Sequence, residues 1–255
     1  MQAKQLNNVL GVDVGGTFTK IGLVDTSTGE CEAIFKIKTP KNEHPNALFK
    51  SIKEQISDQY DVIGFGIPCI VKEGITKTAP NIGKEWYGLN IKQLATEYFD
   101  VNCEVLNDAD AAAMAEIKFG AIKNLPGVTI FLTFGTGIGT AIYHNNSLLL
   151  NTEFGRMALP NGIDNAELIA SALLIEKMNL TWEEYAERVN LYLEEINKCF
   201  WPDNIVIGGG ISDAWDQWHK YLISPSKIYK AKYGNIAGVI GSAIYARSCL
   251  DEQPI

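Results

Sequence analysis

Two glycine-rich turns and one strand-end carboxylate carry most of the chemistry open to this sequence. The first turn is Asp13-Val-Gly-Gly-Thr-Phe-Thr-Lys20. Gly15 and Gly16 let the backbone turn tightly and offer N–H groups to an anion. Thr17 and Thr19 add hydroxyls, Lys20 adds a positive charge, and Asp13 can partner a hydrated Mg²⁺. The second turn is Leu132-Thr-Phe-Gly-Thr-Gly-Ile-Gly-Thr140. Its alternating glycines leave little side-chain bulk where a phosphate would lie, at Thr136 and Gly137. No G-K-[ST] follows it, so it is not a Walker loop, and it does not open a helix as a dinucleotide fingerprint does.

The carboxylate is Asp108, next to Asn107 at the end of the apolar stretch VNCEVLND. A carboxylate there can accept a hydroxyl proton as the oxygen attacks phosphorus. The same position also suits a plain helix cap by Asp108 or Asp110. Glu153, in Asn151-Thr-Glu-Phe-Gly155, is a candidate acceptor for substrate hydroxyls, or a solvated loop glutamate. Ala79-Pro-Asn81 with Trp86 pairs an amide with an aromatic ring, which serves carbohydrate binding or ordinary packing. Gly209, in Ile207-Gly-Gly-Gly-Ile211, sits in a strand-end turn able to pass under a nucleotide or other donor.

The elements that must position these groups alternate between strand and helix. Residues 8–25 read as two strands around the Gly-Gly turn. GECEAIFKIKTP is a third strand, ended by Pro40. Pro45 to Gln59 has a helical period at Ala47, Leu48, Ile52 and Ile56. DVIGFGIP is a buried strand, IVKEGITKTAP a short hairpin, and LNIKQLATEYF an amphipathic helix. An Ala-rich helix follows Asp108. VTIFLTFGTGIGTAIYHNNSLLL repeats the strand–glycine–strand opening, with a turn at Asn145-Asn146. Thr181 to Trp201 is the longest helix, with a Thr181/Glu184 capping box and a stripe of Trp182, Tyr185, Val189, Tyr192, Leu193 and Ile196. DNIVIGGGIS is a strand, and NIAGVIGSAIYA an apolar helix despite its glycines. The opening occurs at residues 9–24 and again at 129–143, a duplicated α/β pattern.

The chain has 255 residues, 46% hydrophobic and 20% charged, an ordinary globular balance. No apolar run is long enough for a membrane span, and the polar residues 1–8 lack a signal core, so a cytoplasmic protein is expected. The net charge of −8 argues against nucleic-acid binding. The five cysteines have no C-x-x-C spacing and the three histidines join no ligand motif, so no zinc site or disulfide framework is expected.

Together these segments resemble the ROK family of sugar kinases, and within it the polyphosphate-dependent glucokinases. DVGGTFTK is similar to the family's first phosphate loop, and LNDADAAAMAE to the segment bearing its catalytic aspartate, here Asp108. LTFGTGIGTA is similar to its second phosphate loop, NTEFG to the start of its sugar-binding motif, and the segments FWPDNIVIGGGIS and NIAGVIGSAI to its C-terminal half. The resemblance spans residues 8–246.

It implies an α/β, actin-like ATPase (ribonuclease H-like) fold of two lobes with an interlobe active-site cleft. Residues 1–110 would form a small N-terminal lobe, with a C-terminal helix at about 236–255 packing back on it, and residues 111–235 a larger lobe. It further implies Mg²⁺ near Asp13, polyphosphate or ATP as donor, a hexose phosphorylated at its 6-hydroxyl, and a homodimer. Asn81, Asn107, Asp108, Glu153 and Arg156 would hold the sugar. Asp13, Gly15, Gly16, Thr17, Lys20, Thr136, Gly137 and Gly209 would hold the donor.

The chain departs from the family in one place. The pattern E-x-G-H ends in Arg156, a larger and permanently charged pure donor. Arg156 can bridge to a sugar hydroxyl, pair with Glu153, or bind an anionic group on a different sugar. A catalytically silent sugar-binding protein is the alternative of another class. A polyphosphate chain also needs a basic track, for which Lys72, Lys77, Lys84, Lys118 and Lys123 are candidates.

Overall fold

The computed structural model describes residues 8–56, 60–145, 147–160 and 162–251. The chain divides into two compact units, residues 1–115 with 236–255, and residues 116–235.

The first unit opens with β1 (Asn8–Val14), β2 (Phe18–Asp25) and β3 (Cys31–Lys38), followed by α1 (Pro45–Lys53) and β4 (Val62–Ile67). A small hairpin, β5 (Val71–Lys72) and β6 (Ile75–Thr76), leads to α2 (Ile91–Phe99), β7 (Asn102–Asn107) and α3 (Asp108–Lys118). The sheet order is β3-β2-β1-β4-β7, with β1, β4 and β7 parallel. All six residues of β4 are buried, as a parallel strand covered on both faces requires. One cover is an aromatic cluster in which Phe49 of α1 lies 5.7 Å from Phe65 and 5.5 Å from Phe99 of α2, ring to ring. The expected first helix ends at Lys53, with Glu54 as its C-cap. Ser57, Asp58 and Gln59, the end of that expected helix, lie outside the described residues.

The second unit holds β8 (Thr129–Phe134), β9 (Ile138–His144), β10 (Ser147–Leu149), α4 (Glu167–Ala170), α5 (Leu173–Met178), α6 (Trp182–Phe200), β11 (Asn204–Gly208), α7 (Trp215–Trp218) and β12 (Lys227–Lys230). Its sheet runs β10-β9-β8-β11-β12, the same order as the first when strands are counted within each five-stranded sheet. Asn145 turns left-handed at φ 50°, and Asn146 of the same turn lies outside the described residues. In α6 the capping box forms as the sequence requires. Tyr185, Val189, Tyr192, Leu193 and Ile196 are fully buried, and Trp182 is half-buried. They pack with Phe134 and Trp218 into the core of this unit.

The final helix, α8 (Ala237–Asp251), packs on β1, β4 and β7. Glycines on β1 and β4 beneath the helix, and Gly241 within it, are explained by close approach. A methyl at Gly11 or Gly64 would collide with the carbonyl of Val239 or Ser242, and one at Gly241 with that of Ala111. Side chains here would push the helix off the sheet. All five cysteines are thiols, with Cys69 and Cys103 buried and Cys199 exposed.

Candidate functional site

In the first unit the β1–β2 turn is shaped by its neighbours. Asp13 stands opposite Lys20, whose Nζ lies 3.3 Å from Asp13 Oδ2. Burial raises the Asp13 carboxyl above its ordinary range, and the Lys20 ammonium pulls it back. The Gly15 amide donates to Phe18 O at 3.1 Å, and the Thr39 amide donates to Thr17 O at 3.0 Å. Thr39 Oγ1 donates to Gly15 O at 2.8 Å. The carbonyls that would repel an anion are thereby tied back. Thr19 plays a different part from the one its position in the motif implied. It is fully buried, and its hydroxyl meets that of Thr39 at 2.9 Å. Strand alternation decides this: Phe18 and Lys20 face out where Thr19 faces in.

The other candidates of this unit lie along the carboxyl ends of β1, β4 and β7. Asp13 is level with Gly66, Gly66 with Leu106, and Ile67 with Asn107. A methyl at Gly66 would sit 3.6 Å from Asp108 Cα. Two strand spacings, about 10 Å, therefore separate the chains bearing Asp13 and Asp108. Strand ends of this kind are where open α/β sheets bind ligands. A methyl at Gly16 would sit 3.2 Å from Asn81 O, so exposed Asn81 borders the turn.

Asn107 is buried and committed. Its Oδ1 accepts from the amides of Ala109 at 2.8 Å and Asp110 at 3.2 Å, and its Nδ2 donates to Cys69 O at 3.2 Å. The cap of α3 thus falls chiefly on Asn107, one residue before Asp108 and Asp110. Asp108 is half-exposed, with Oδ1 accepting from the Ala109 amide at 2.9 Å. Trp86 is buried in the core of this unit, so of its two readings packing prevails.

In the second unit the β8–β9 turn is braced from one side by a residue outside the motif. Glu167 Oε1 accepts from the Ile138 amide at 3.0 Å, and a methyl at Gly137 would sit 2.6 Å from the same oxygen. The Gly135 amide donates to Gly137 O at 3.0 Å, which closes the turn beneath exposed Thr136. Glu153 is half-buried, and the Arg156 Nε lies 3.4 Å from its Oε2. Burial raises the Glu153 carboxyl, Arg156 lowers it, and the neighbouring Glu167 raises it again. Gly209 adopts φ 78°, and a methyl there would meet Phe134 O at 2.7 Å. Its glycine serves the close passage of this turn over β8.

Sequence reasoning missed Thr39 and Glu167. Thr39 follows an unremarkable strand, and Glu167 lies 29 residues from Ile138, whose amide it holds. No spacing rule reaches that far. Among the described residues no group of three or more His, Cys, Asp or Glu is placed to hold a metal. A single carboxylate such as Asp13 still suits Mg²⁺, which keeps several waters and takes phosphate oxygens from a substrate. The lysines of the proposed basic track lie on separate elements: Lys72 on β5, Lys77 and Lys84 in the stretch after β6, Lys118 at the end of α3, and Lys123 beyond it.

The ROK family model matches residues 9–158. The polyphosphate glucokinase of Mycobacterium tuberculosis (strain CDC 1551 / Oshkosh) is 38% identical over 238 residues, covering 92% of this chain and 89% of that protein. That of Mycobacterium leprae (strain TN) is 35% identical over 238 residues, covering 92% and 73%. Among solved structures, the inorganic polyphosphate/ATP-glucomannokinase of Arthrobacter sp. strain KM superposes with a TM-score of 0.88. It is 30% identical, with 95% of this chain and 99% of that one covered.

Proposed function

This chain belongs to the ROK family, and from that premise we propose that it is a sugar kinase moving a phosphoryl group from polyphosphate or ATP to the 6-hydroxyl of glucose or a similar hexose. Its α/β architecture is the actin-like ATPase fold. The observation that carries the reading lies within one unit. A glycine turn with Asp13 and Lys20, and a strand-end Asp108, share the carboxyl edge of the same parallel strands.

In this reading Asp108 accepts the proton of the attacking hydroxyl. Asn81, Asn107, Glu153 and Arg156 position the sugar, Asn107 chiefly by fixing the start of α3 under Asp108. Gly15, Gly16, Thr17, Lys20, Thr136, Gly137 and Gly209 hold the donor. Mg²⁺ at Asp13, when bound, supplies positive charge to the donor phosphates. The remaining catalysis is positioning and charge neutralisation. The finer parts of the reading are a cytoplasmic homodimer with no nucleic-acid or membrane partner and no protein-bound zinc.

The test is a coupled assay for glucose 6-phosphate, with glucose, Mg²⁺ and either long-chain polyphosphate or ATP. Product with either donor supports the kinase, and product with polyphosphate supports the subgroup. Silence with both sinks the glucokinase reading.

Arg156, standing where the family pattern has histidine, supports a second reading, a kinase for an acidic or amino sugar. Here Arg156→His would gain glucose activity and lose the native one. If that variant lost activity on every sugar tried, the altered-substrate reading would fall.

A further inference from the structure

The β2–β3 hairpin places three lysines on one face at the end nearest the first glycine turn, covered by α8 over β1 and open at the edge strand β3. The register sets Asp13 opposite Lys20, Lys20 opposite Lys36, and Phe18 opposite Lys38. Residues two apart on a strand share a face, so Phe18, Lys20, Lys36 and Lys38 form one patch. Lys36 and Lys38 are exposed, Phe18 is 45% exposed, and Lys20 is half-buried. The Lys36 ammonium sits 4.2 Å from the centre of the Phe18 ring. Lys38 precedes Thr39, whose amide and hydroxyl hold the Thr17 and Gly15 carbonyls. The patch therefore begins at the glycine turn and continues across β3.

This arrangement works against stability. Like charges directly opposite on neighbouring strands repel, and Lys20 faces Lys36. Asp13 offsets one of these charges and the Phe18 ring the other. In a chain of net charge −8, three ammoniums crowded beside an anion-binding turn point to an anionic ligand.

We propose that the face bearing Lys20, Lys36 and Lys38 is the track on which an inorganic polyphosphate donor lies beyond its reacting phosphate. The proposal rests on the kinase reading above and deepens it. Each ammonium meets a successive stretch of the phosphate chain. Two residues along a strand span about 7 Å and neighbouring strands lie about 5 Å apart, so the three charges follow an extended polyanion rather than a compact one. ATP, whose phosphates end at the turn, does not reach Lys36 and Lys38. The competing role for these two is protection of β3, an edge strand, against pairing with other chains.

The test is the double variant Lys36→Gln/Lys38→Gln against wild type, with thermal midpoints compared first to confirm the fold. Long-chain polyphosphate, tripolyphosphate and ATP are the probes, each measured for binding and for KM with glucose. The expected result is a rise of about tenfold in Kd and KM for long-chain polyphosphate, since two exposed charge contacts are lost and each is modest in water. The slope of log K against log salt should flatten by about 1.4, two contacts at the single-strand value. Tripolyphosphate and ATP should change little. Unchanged long-chain binding leaves edge protection as the role and overturns the track, and so does an equal loss for ATP. If wild type turns over no sugar, the kinase reading fails, while the binding comparison still decides the track.

Discussion

Two glycine turns occupy the same place in two sheets of the same strand order, and they are built by opposite means. The β1–β2 turn carries its charges in its own strands, Asp13 and Lys20, paired on one face and both largely covered. The β8–β9 turn carries no charge of its own and takes its carboxylate from Glu167, which holds the Ile138 amide. In the first turn the uncharged residues do the bracing, through Thr39 and Thr19. On the proposed reading, charge serves the ligand in the first turn, while in the second it holds the backbone. A duplicated framework keeps its strand order while its halves divide the labour.

The largest test of that division is Asp108→Asn, because the candidate base is the strand-end carboxylate of the first unit. Turnover should fall about 10²- to 10⁴-fold with sugar affinity nearly intact. Wild-type turnover in this variant would remove the base from the first unit.

The next test sets the two turns against each other. Glu167→Ala should cost about 1–3 kcal/mol of stability, because a backbone donor loses its acceptor. Lys20→Gln should leave stability within about 1 kcal/mol, since the Lys20–Asp13 pair is partly solvated, yet raise the donor KM. Thermal unfolding beside donor titrations reads both effects. If Lys20→Gln proved the more destabilising, the division of labour would be wrong.

Much of this was legible in the sequence. The two turns, the strand into Asp108 and the capping box of α6 depend on neighbours within a few residues, where glycine, alternation and cap chemistry act. Asn107 was legible as polar but not as the cap, because cap identity turns on one residue of phase at the start of α3. Thr19 shows the same limit, since one step of strand phase moves a hydroxyl from ligand to core. Lys36 and Lys38 escaped notice because only register places them beside Lys20.

Arg156 and Glu167 pull Glu153 in opposite directions, which makes a pH test. The Glu153 carboxyl is raised by burial, so a step needing its ionised form fails at a higher pH than for an ordinary glutamate. Arg156→Gln removes a lowering influence, and the acid limb of kcat/KM should move up. Glu167→Gln removes a raising one, and the limb should move down. A limb indifferent to both changes would take Glu153 out of the titrating step.

A further effect belongs to the uncharged brace of the first turn. Thr39→Val keeps shape and volume but removes the hydroxyl that donates to Gly15 O and meets Thr19. It should cost about 1–2 kcal/mol, because the Thr19 hydroxyl and the Gly15 carbonyl each lose a partner in the interior. Adding Thr19→Val should recover part of that loss, since removing both partners of a buried hydrogen bond is nearly neutral. The Gly15 carbonyl stays unheld in both variants, so the donor KM should remain raised in the double variant while its stability recovers. Recovery of both together would mean that the hydroxyl pair serves packing alone, and that Thr39 does not shape the turn for its anion.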